Sequence, residues 1–316
     1  MHEQSEHSNL IEANLTNDLA KNLEINLNNC SEKIPAESLA KSLAISQTHY
    51  ENFPVASIIL PKHLRRPIAL IYAFARQADD FADEGNMPDD ERLNHLNFFK
   101  EQLDLVKNKT QSQVELFNAL SEMVRENNLP WQPFYDLLDA FSQDVTKSRY
   151  ANFNEIKYYC RRSANPIGQL LLHLYKQATP LNLTYANHIC TSLQLINFYQ
   201  DIAIDFDDTH HKRRIYLCQD EMVRFNVTES QIANKQMEEN WQQFMLFNIN
   251  RAQDLLNAGK PLGRILPDRL GLEMRLIING GQHILNRLRQ VNGDIFTQRP
   301  VIKAWHWPII FFNALF

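Results

Sequence analysis

The sequence predicts an all-α protein, one helical bundle enclosing a central cavity. Three observations carry that prediction. Gly and Pro are scarce, 8 and 13 among 316 residues, which disfavours Gly-rich nucleotide loops and chains of tight turns. Apolar residues recur at the 3.6-residue helical period over most of the chain. Strand-like alternation never runs beyond about five residues.

The elements follow in order. Residues 1–37, rich in Asn, Glu and Ser, read as a variable N-terminal extension, and residues 38–316 as a single domain. Helices are expected at 38–50, 67–85, 89–107, 112–127, 131–149, 164–178, 182–207, 228–258, 266–291 and 303–315. Pro67 suits the first turn of its helix. Gly85, Asn127-Asn128, Pro180, Gly259 and Gly293 mark the breaks. No internal repeat of fixed period is present.

Composition removes several classes of function. Thirty-two basic against 37 acidic residues leave a net charge of −5, so no nucleic-acid partner is expected. Four cysteines stand far apart with no C-x-x-C pair, which predicts reduced thiols in a cytoplasmic protein rather than a disulfide framework or a zinc site. The start, Met1-His2-Glu3, lacks the order of a signal peptide. No uncharged apolar run reaches the ~18–20 residues of a membrane span. The expectation is a soluble chain, at most peripheral to the inner face of the membrane.

Two acidic clusters carry the chemistry. The first reads Tyr72-Ala-Phe-Ala-Arg76-Gln-Ala-Asp79-Asp80-Phe-Ala-Asp83-Glu84. At ~100° per residue, Tyr72, Arg76, Asp79 and Asp83 fall within about 60° of one another, with Asp80 on the flank. Taken alone, this stripe is equally a wet surface with an Arg–Asp pair.

The second cluster, residues 193–206, is apolar almost all round, so its helix should be buried. Gln194, Asn197, Asp201 and Asp205 share an arc of about 80°. Two carboxylates ~6 Å apart repel by about 3 kcal/mol at an effective dielectric near 20, so protonation, a basic partner or cations must neutralise them. Oxygen donors at i, i+4 and i+8 suit Mg²⁺, with Mn²⁺ as a substitute; a structural pairing with Arg is the plainer alternative. Two such stripes facing each other would hold metal ions and a diphosphate between them. Candidate phosphate contacts are Arg76, Arg161, Arg162 and the run Lys212-Arg213-Arg214, with Tyr72 and Tyr216 as phenolic donors.

These residues resemble the head-to-head isoprenoid synthases, the squalene and phytoene synthases. Tyr72, Arg76, Asp79, Asp80 and Asp83 match the first family motif. Gln194, Leu195, Asn197, Asp201, Asp205 and the run Arg214-Ile215-Tyr216-Leu217 match the second. The likeness runs from about 47 to 300. Within the family the chain is most similar to the hydroxysqualene synthase branch of bacterial hopanoid biosynthesis, through Asn52-Phe-Pro-Val-Ala-Ser57, Cys160-Arg-Arg-Ser-Ala-Asn-Pro166 and Gly259-Lys-Pro-Leu-Gly263. Gln200 stands where phytoene and squalene synthases usually carry Arg.

The resemblance implies an isoprenoid synthase bundle. It also implies ionisation of presqualene diphosphate, rearrangement, and capture by water to give hydroxysqualene, without NADPH. Asp79, Asp80, Asp83, Asn197, Asp201 and Asp205 would hold Mg²⁺; Tyr72, Arg76, Arg214 and Tyr216 would serve the chemistry. Arg161, Arg162, Gln194, Gln200, Arg213 and Arg299 would contact substrate. Handover to other enzymes of the squalene pathway belongs to the same expectation. Head-to-head condensation of two prenyl diphosphates is the rival. Terpene cyclases share the second-site spacing, but Tyr72-x₃-Arg76 and Arg214-Ile-Tyr disfavour them. A di-iron carboxylate protein wants Glu-x-x-His pairs, which the sequence lacks, and a non-catalytic scaffold has no reason to bury Asp201 and Asp205. His210-His211 are expected to bind nothing. Residues 304–316 are strongly apolar yet too short to span a membrane; packing on the bundle is expected, with a membrane-surface foot as the alternative.

Overall fold

The computed structural model describes residues 61–83, 85, 87–207 and 213–315. The extension over 1–37, the helix expected at 38–50 and His210-His211-Lys212 lie outside the described residues. Helix α1 spans Lys62–Asp83 and α2 Asp89–Lys107; α3 is Glu115–Glu126 and α4 Gln132–Thr146. A short strand β1 (Arg149–Tyr150) leads to α5 (Phe153–Ser163) and α6 (Asn165–Leu174). The long α7 runs Pro180–Asp207, followed by β2 (Ile215–Cys218), α8 (Gln219–Arg224) and α9 (Glu229–Ala233). Then come α10 (Glu239–Gly259), α11 (Leu262–Ile265), α12 (Asp268–Gln290), a 3₁₀ turn at Ala304–His306 and α13 (Trp307–Leu315). The fold is all-α, with one two-stranded parallel ladder among the described residues.

Local chemistry explains most boundaries. Pro88 precedes α2, whose first turn carries Asp89, Asp90 and Glu91 against the positive end of the helix dipole. Thr228 and Gln231 close a reciprocal capping box at the start of α9. Pro180 is the first residue of α7 rather than a spacer before it, a position where its missing N–H costs nothing.

Several expected boundaries need correction. Pro67 lies inside α1, not in its first turn, because the helix already begins at Lys62. Only the carbonyl of the exposed His63 loses an intrahelical donor there, and water can serve it. The expected helix 228–258 divides after Ala233, where Lys235 takes φ +54°. The expected helix 266–291 corresponds to α12 and starts after Pro267, at Asp268, with the short α11 preceding it. Helix α5 has no counterpart in the sequence reading. Asn152 was its legible signal: the side chain accepts from Asn154 N (3.0 Å) and Glu155 N (3.3 Å), capping the N-terminus.

The core divides in two. One apolar cluster joins α1–α4 and α6 around Phe74, Phe117 and Phe134, and the other joins α5 and α7–α12 around Tyr199, Trp241 and Phe244. Between them runs a polar seam containing Asp83, Asp144 and Arg214. Helices α7 and α10 pack closely enough that a Cβ on Gly259 would lie 2.8 Å from the Tyr185 carbonyl, a contact no side chain tolerates.

The C-terminal end of α1, which carries the first acidic motif, is held by Arg92 of α2. This buried guanidinium donates to the carbonyls of Phe81 (3.0 Å), Gly85 (2.6 Å) and Met87 (3.0 Å). It satisfies carbonyls the helix leaves over and puts positive charge at the negative end of the dipole. Replacing Arg92 by Ala strands these acceptors, at about 1–3 kcal/mol for each one left unsatisfied. Denaturant unfolding of Arg92→Ala should therefore show at least ~2 kcal/mol of lost stability, with Arg92→Lys intermediate.

Candidate active site

The site forms because β2 pairs with β1. Arg149 lies opposite Ile215, and Ile215 N donates to Ser148 O at 3.0 Å. β1 follows directly on α4, so this pairing lays Arg214 and Tyr216 across the C-terminal end of α4. Arg214 then reaches in two directions. Nη2 donates to Asp83 Oδ1 of α1 at 2.8 Å, and Nη1 lies 3.5 Å from Asp144 Oδ1 of α4. Nη1 also donates to the Tyr216 hydroxyl at 3.1 Å.

Asp144 is nearly fully buried and receives two phenols: Tyr216 OH donates to Oδ1 (2.9 Å) and Tyr159 OH to Oδ2 (2.7 Å). Burial pushes its carboxyl up to about 7, against the pull of Arg214 and the Tyr159 hydrogen bond. Burial likewise raises both phenols well above their ordinary range, so they stay protonated donors. Burial alone would lower Arg214, but Tyr216, Asp83 and Asp144 outweigh it, and the guanidinium stays charged.

The second motif faces the same place. On α7, Leu195, Ile196, Phe198, Tyr199 and Ile202 are buried, while Gln194, Asn197, Asp201 and Asp205 are half-buried along one stripe. Burial, then the carboxylate of Asp201, push Asp205 up to about 7; Asp83 and Asp144 act the same way and Arg214 opposes them. Asp83 of α1 thus lies near enough to Asp205 of α7 to act on its carboxyl. Arg299 reaches back from the C-terminal segment, its Nε 2.6 Å from Asp201 Oδ1. Gln200 turns its amide away from the stripe and donates to the Pro300 carbonyl at 2.6 Å, holding that segment in place.

The other predicted residues are placed as follows. Arg76 pairs with Asp80 (2.7 Å) and Asp79 (3.5 Å) within α1, and Tyr72 is half-buried one turn earlier. Arg213 takes φ +51°, lies over Phe206 and offers its carbonyl to Arg149. Arg161 and Arg162 sit at the end of α5 beside the Tyr158 ring, and Arg162 Nε lies 3.8 Å from Asp139. The geometry thus joins Asp83, Asp201, Asp205, Arg214, Tyr216 and Arg299. It brings neither Arg161 nor Arg213 into a contact with these acids.

Asp144 and Tyr159 were missed in the sequence. Asp144 shares a helical face with Leu137 and Phe141, both buried, and an acid on an apolar face was the available signal. Four rings gather beside it. Phe198 stacks on Tyr216 at 3.9 Å, Tyr150 stacks on Tyr216 at 5.5 Å, and Tyr159 lies 5.6 Å from Tyr216.

The donor set fits a hard divalent cation. Asp79, Asp83, Asn197, Asp201 and Asp205 are oxygen donors, the ligand chemistry that Mg²⁺ and Mn²⁺ prefer. The cluster Cys218, Asp220 and Glu221 suits a metal poorly, since Arg251 already pairs with Glu221.

Residues 46–306 match the squalene/phytoene synthase family model. The chain belongs to the squalene/phytoene synthase family. It is 32% identical over 280 residues to a hydroxysqualene synthase of Rhodopseudomonas palustris, covering 87% of this chain and 92% of that protein. A hydroxysqualene synthase of Sinorhizobium fredii is 33% identical over 242 residues, covering 76% and 80%. The crystal structure of squalene synthase HpnC from Alicyclobacillus acidocaldarius superposes with a TM-score of 0.71 at 29% identity, over 84% of this chain and 98% of that one. The squalene/phytoene synthase member described here is accordingly an enzyme of isoprenoid biosynthesis, with the all-α fold its sequence predicted.

The raised carboxyls make a stability prediction. Unfolded aspartate titrates near 4, so from about pH 4 to 7 the folded protein keeps protons that the unfolded chain has released. This contribution is complete below about pH 4 and is lost as pH rises through about 7. For metal-free protein, these groups should lower the melting temperature as pH rises from about 4 to 7 and leave it flat above that. Asp144→Asn should make that decline shallower; an unchanged slope in thermal melts contradicts the assignment.

Proposed function

We propose that the protein ionises presqualene diphosphate with Mg²⁺, rearranges the cyclopropylcarbinyl cation and captures it with one water. The products are hydroxysqualene and diphosphate, the proton released by the captured water passing to diphosphate or solvent, and no NADPH is required. The observation that carries this reading is the gathering of acids from α1 and α7 about the buried Arg214. The two hydroxysqualene synthases at 32% and 33% identity support the choice of reaction.

The chain's own residues divide the work. Asp79, Asp83, Asn197, Asp201 and Asp205 would hold the metal. Bound there, Mg²⁺ would supply Lewis-acid neutralisation of the charge growing on the leaving diphosphate. Arg76 and Arg299, each half-exposed and each holding an aspartate, would meet phosphate oxygens once those carboxylates turn to the cation. Arg214, buried and bound to Asp83, Asp144 and Tyr216, would serve as a fixed positive wall. Tyr159 and Tyr216, locked by Asp144, keep their rings immobile. The stacked faces of Tyr216 and Phe198 offer π-density to a nearby carbocation. Asp80, flanking the stripe and paired to Arg76, would hold that cation in line.

The test supplies purified protein with presqualene diphosphate or farnesyl diphosphate, separately, and weighs the products. Hydroxysqualene from the first alone, dependent on Mg²⁺, is expected. Presqualene diphosphate from the second would replace this reading with head-to-head condensation. Asp201→Asn and Asp79→Asn should each lower turnover by about 10²–10³-fold or more, with helical circular dichroism unchanged.

A further inference from the structure

Among the described residues, the C-terminal helix buries one side against the bundle. Ile310 and Ala314 are buried with Leu276 of α12, and Trp307 and Ile302 pack around them. Arg275 fixes the far end, donating to the carbonyls of Ala314 (2.5 Å) and Gly263 (2.7 Å). The opposite side faces out, and it is not polar. At 100° per residue, Phe311, Leu315, Pro308, Phe312 and Ile309 fill a continuous arc of about 160° with no polar side chain among them. All five are exposed, Phe312 by 60% and Ile309 by 57%. Trp305, 68% exposed, extends the patch at its N-terminal end. An outward face this apolar on a folded chain marks a contact surface.

Charge selects the occupant. From Ile295 to Phe316 the sequence contains no Asp or Glu. Lys303 is exposed and lies 5.0 Å over the Trp305 ring, and Arg287 is close enough to act on His306. Arg264, also exposed, follows Gly263 at the other end. An apolar strip with cations at both ends and an indole at its edge complements an anionic lipid surface: acyl chains under the strip, headgroups around the rim. Among the described residues no helix is long and apolar enough to cross a membrane, so the helix would lie in the interface plane.

We propose that α13, with Trp305 and Lys303, is a foot that seats the protein on anionic phospholipid bilayers. The contact does not depend on which reaction the site performs, and its failure leaves the proposed chemistry untouched.

Flotation with vesicles of phosphatidylcholine containing about one quarter phosphatidylglycerol tests it, using the full chain. The protein should float with these vesicles, float less at high salt, and remain behind with pure phosphatidylcholine. Ile309→Ser with Phe312→Ser should lower the bound fraction at least tenfold at an unchanged melting temperature. Lys303→Glu, which leaves the packing of α13 alone, should weaken binding several-fold to the anionic vesicles only. Equal flotation of wild type and the double variant would overturn the proposal. So would absence of flotation, or a dimer of the wild type that the double variant converts to monomer, since the face would then join two copies.

Discussion

Arg214 is the cation on which the site's geometry depends. It bridges the end of α1 to the end of α4, joining residues 131 positions apart in sequence, and its charge opposes the raised carboxyls of Asp144 and Asp205. Without it, Asp83 and Asp144 would stand together in the seam with no cation bridging them. Removing one partner of a buried charge group generally costs more than the group contributed. The structure answers with redundancy around the fixed point: Tyr216 and Tyr159 share Asp144, and Arg299 shares Asp201.

The surrounding fold serves to hold acids where an ordinary core would hold hydrocarbon. Two apolar clusters, each rich in interlocked aromatic rings, give rigid walls on either side of the polar seam. Phe74 illustrates the first wall, meeting Phe117 and Phe134 edge-on at 6.0 and 5.4 Å. Arg92 then pins the turn after α1, so the first motif is fixed at its outer end as well. Preorganisation of this kind is what electrostatic catalysis needs, because reorienting charges during the reaction would consume the gain.

Much of this was legible in the sequence. The helical period and scarce Gly and Pro predicted the fold class. The spacing of Asp79, Asp83, Asn197, Asp201 and Asp205 predicted two stripes, and Arg214-Ile-Tyr predicted the cation and phenol beside them. What escaped has physical causes. Asp144 and Tyr159 look like isolated polar residues until α4 and α5 pack together, since each gains its meaning from a partner on another helix. Helix α5 is short and rich in Tyr and Arg, so its period is weak and only its Asn cap announces it. The hydrogen bond from the Gln200 amide to the Pro300 carbonyl was likewise not legible, since its partner lies 100 positions away. Orientation of a long side chain is set by tertiary packing, which spacing along one helix does not encode.

The parallel pairing of β1 with β2 also constrains how the protein is made. Three helices intervene between the strands, and their ends meet only after a long excursion of chain has been closed, at an entropic cost that local helix formation does not carry. Tyr216 and Asp144, 72 positions apart, can therefore join only late, once α5, α6 and α7 have docked. A partly folded chain of this kind would display near-native helicity while lacking the assembled charge centre, so competence arrives as a final, cooperative event in maturation.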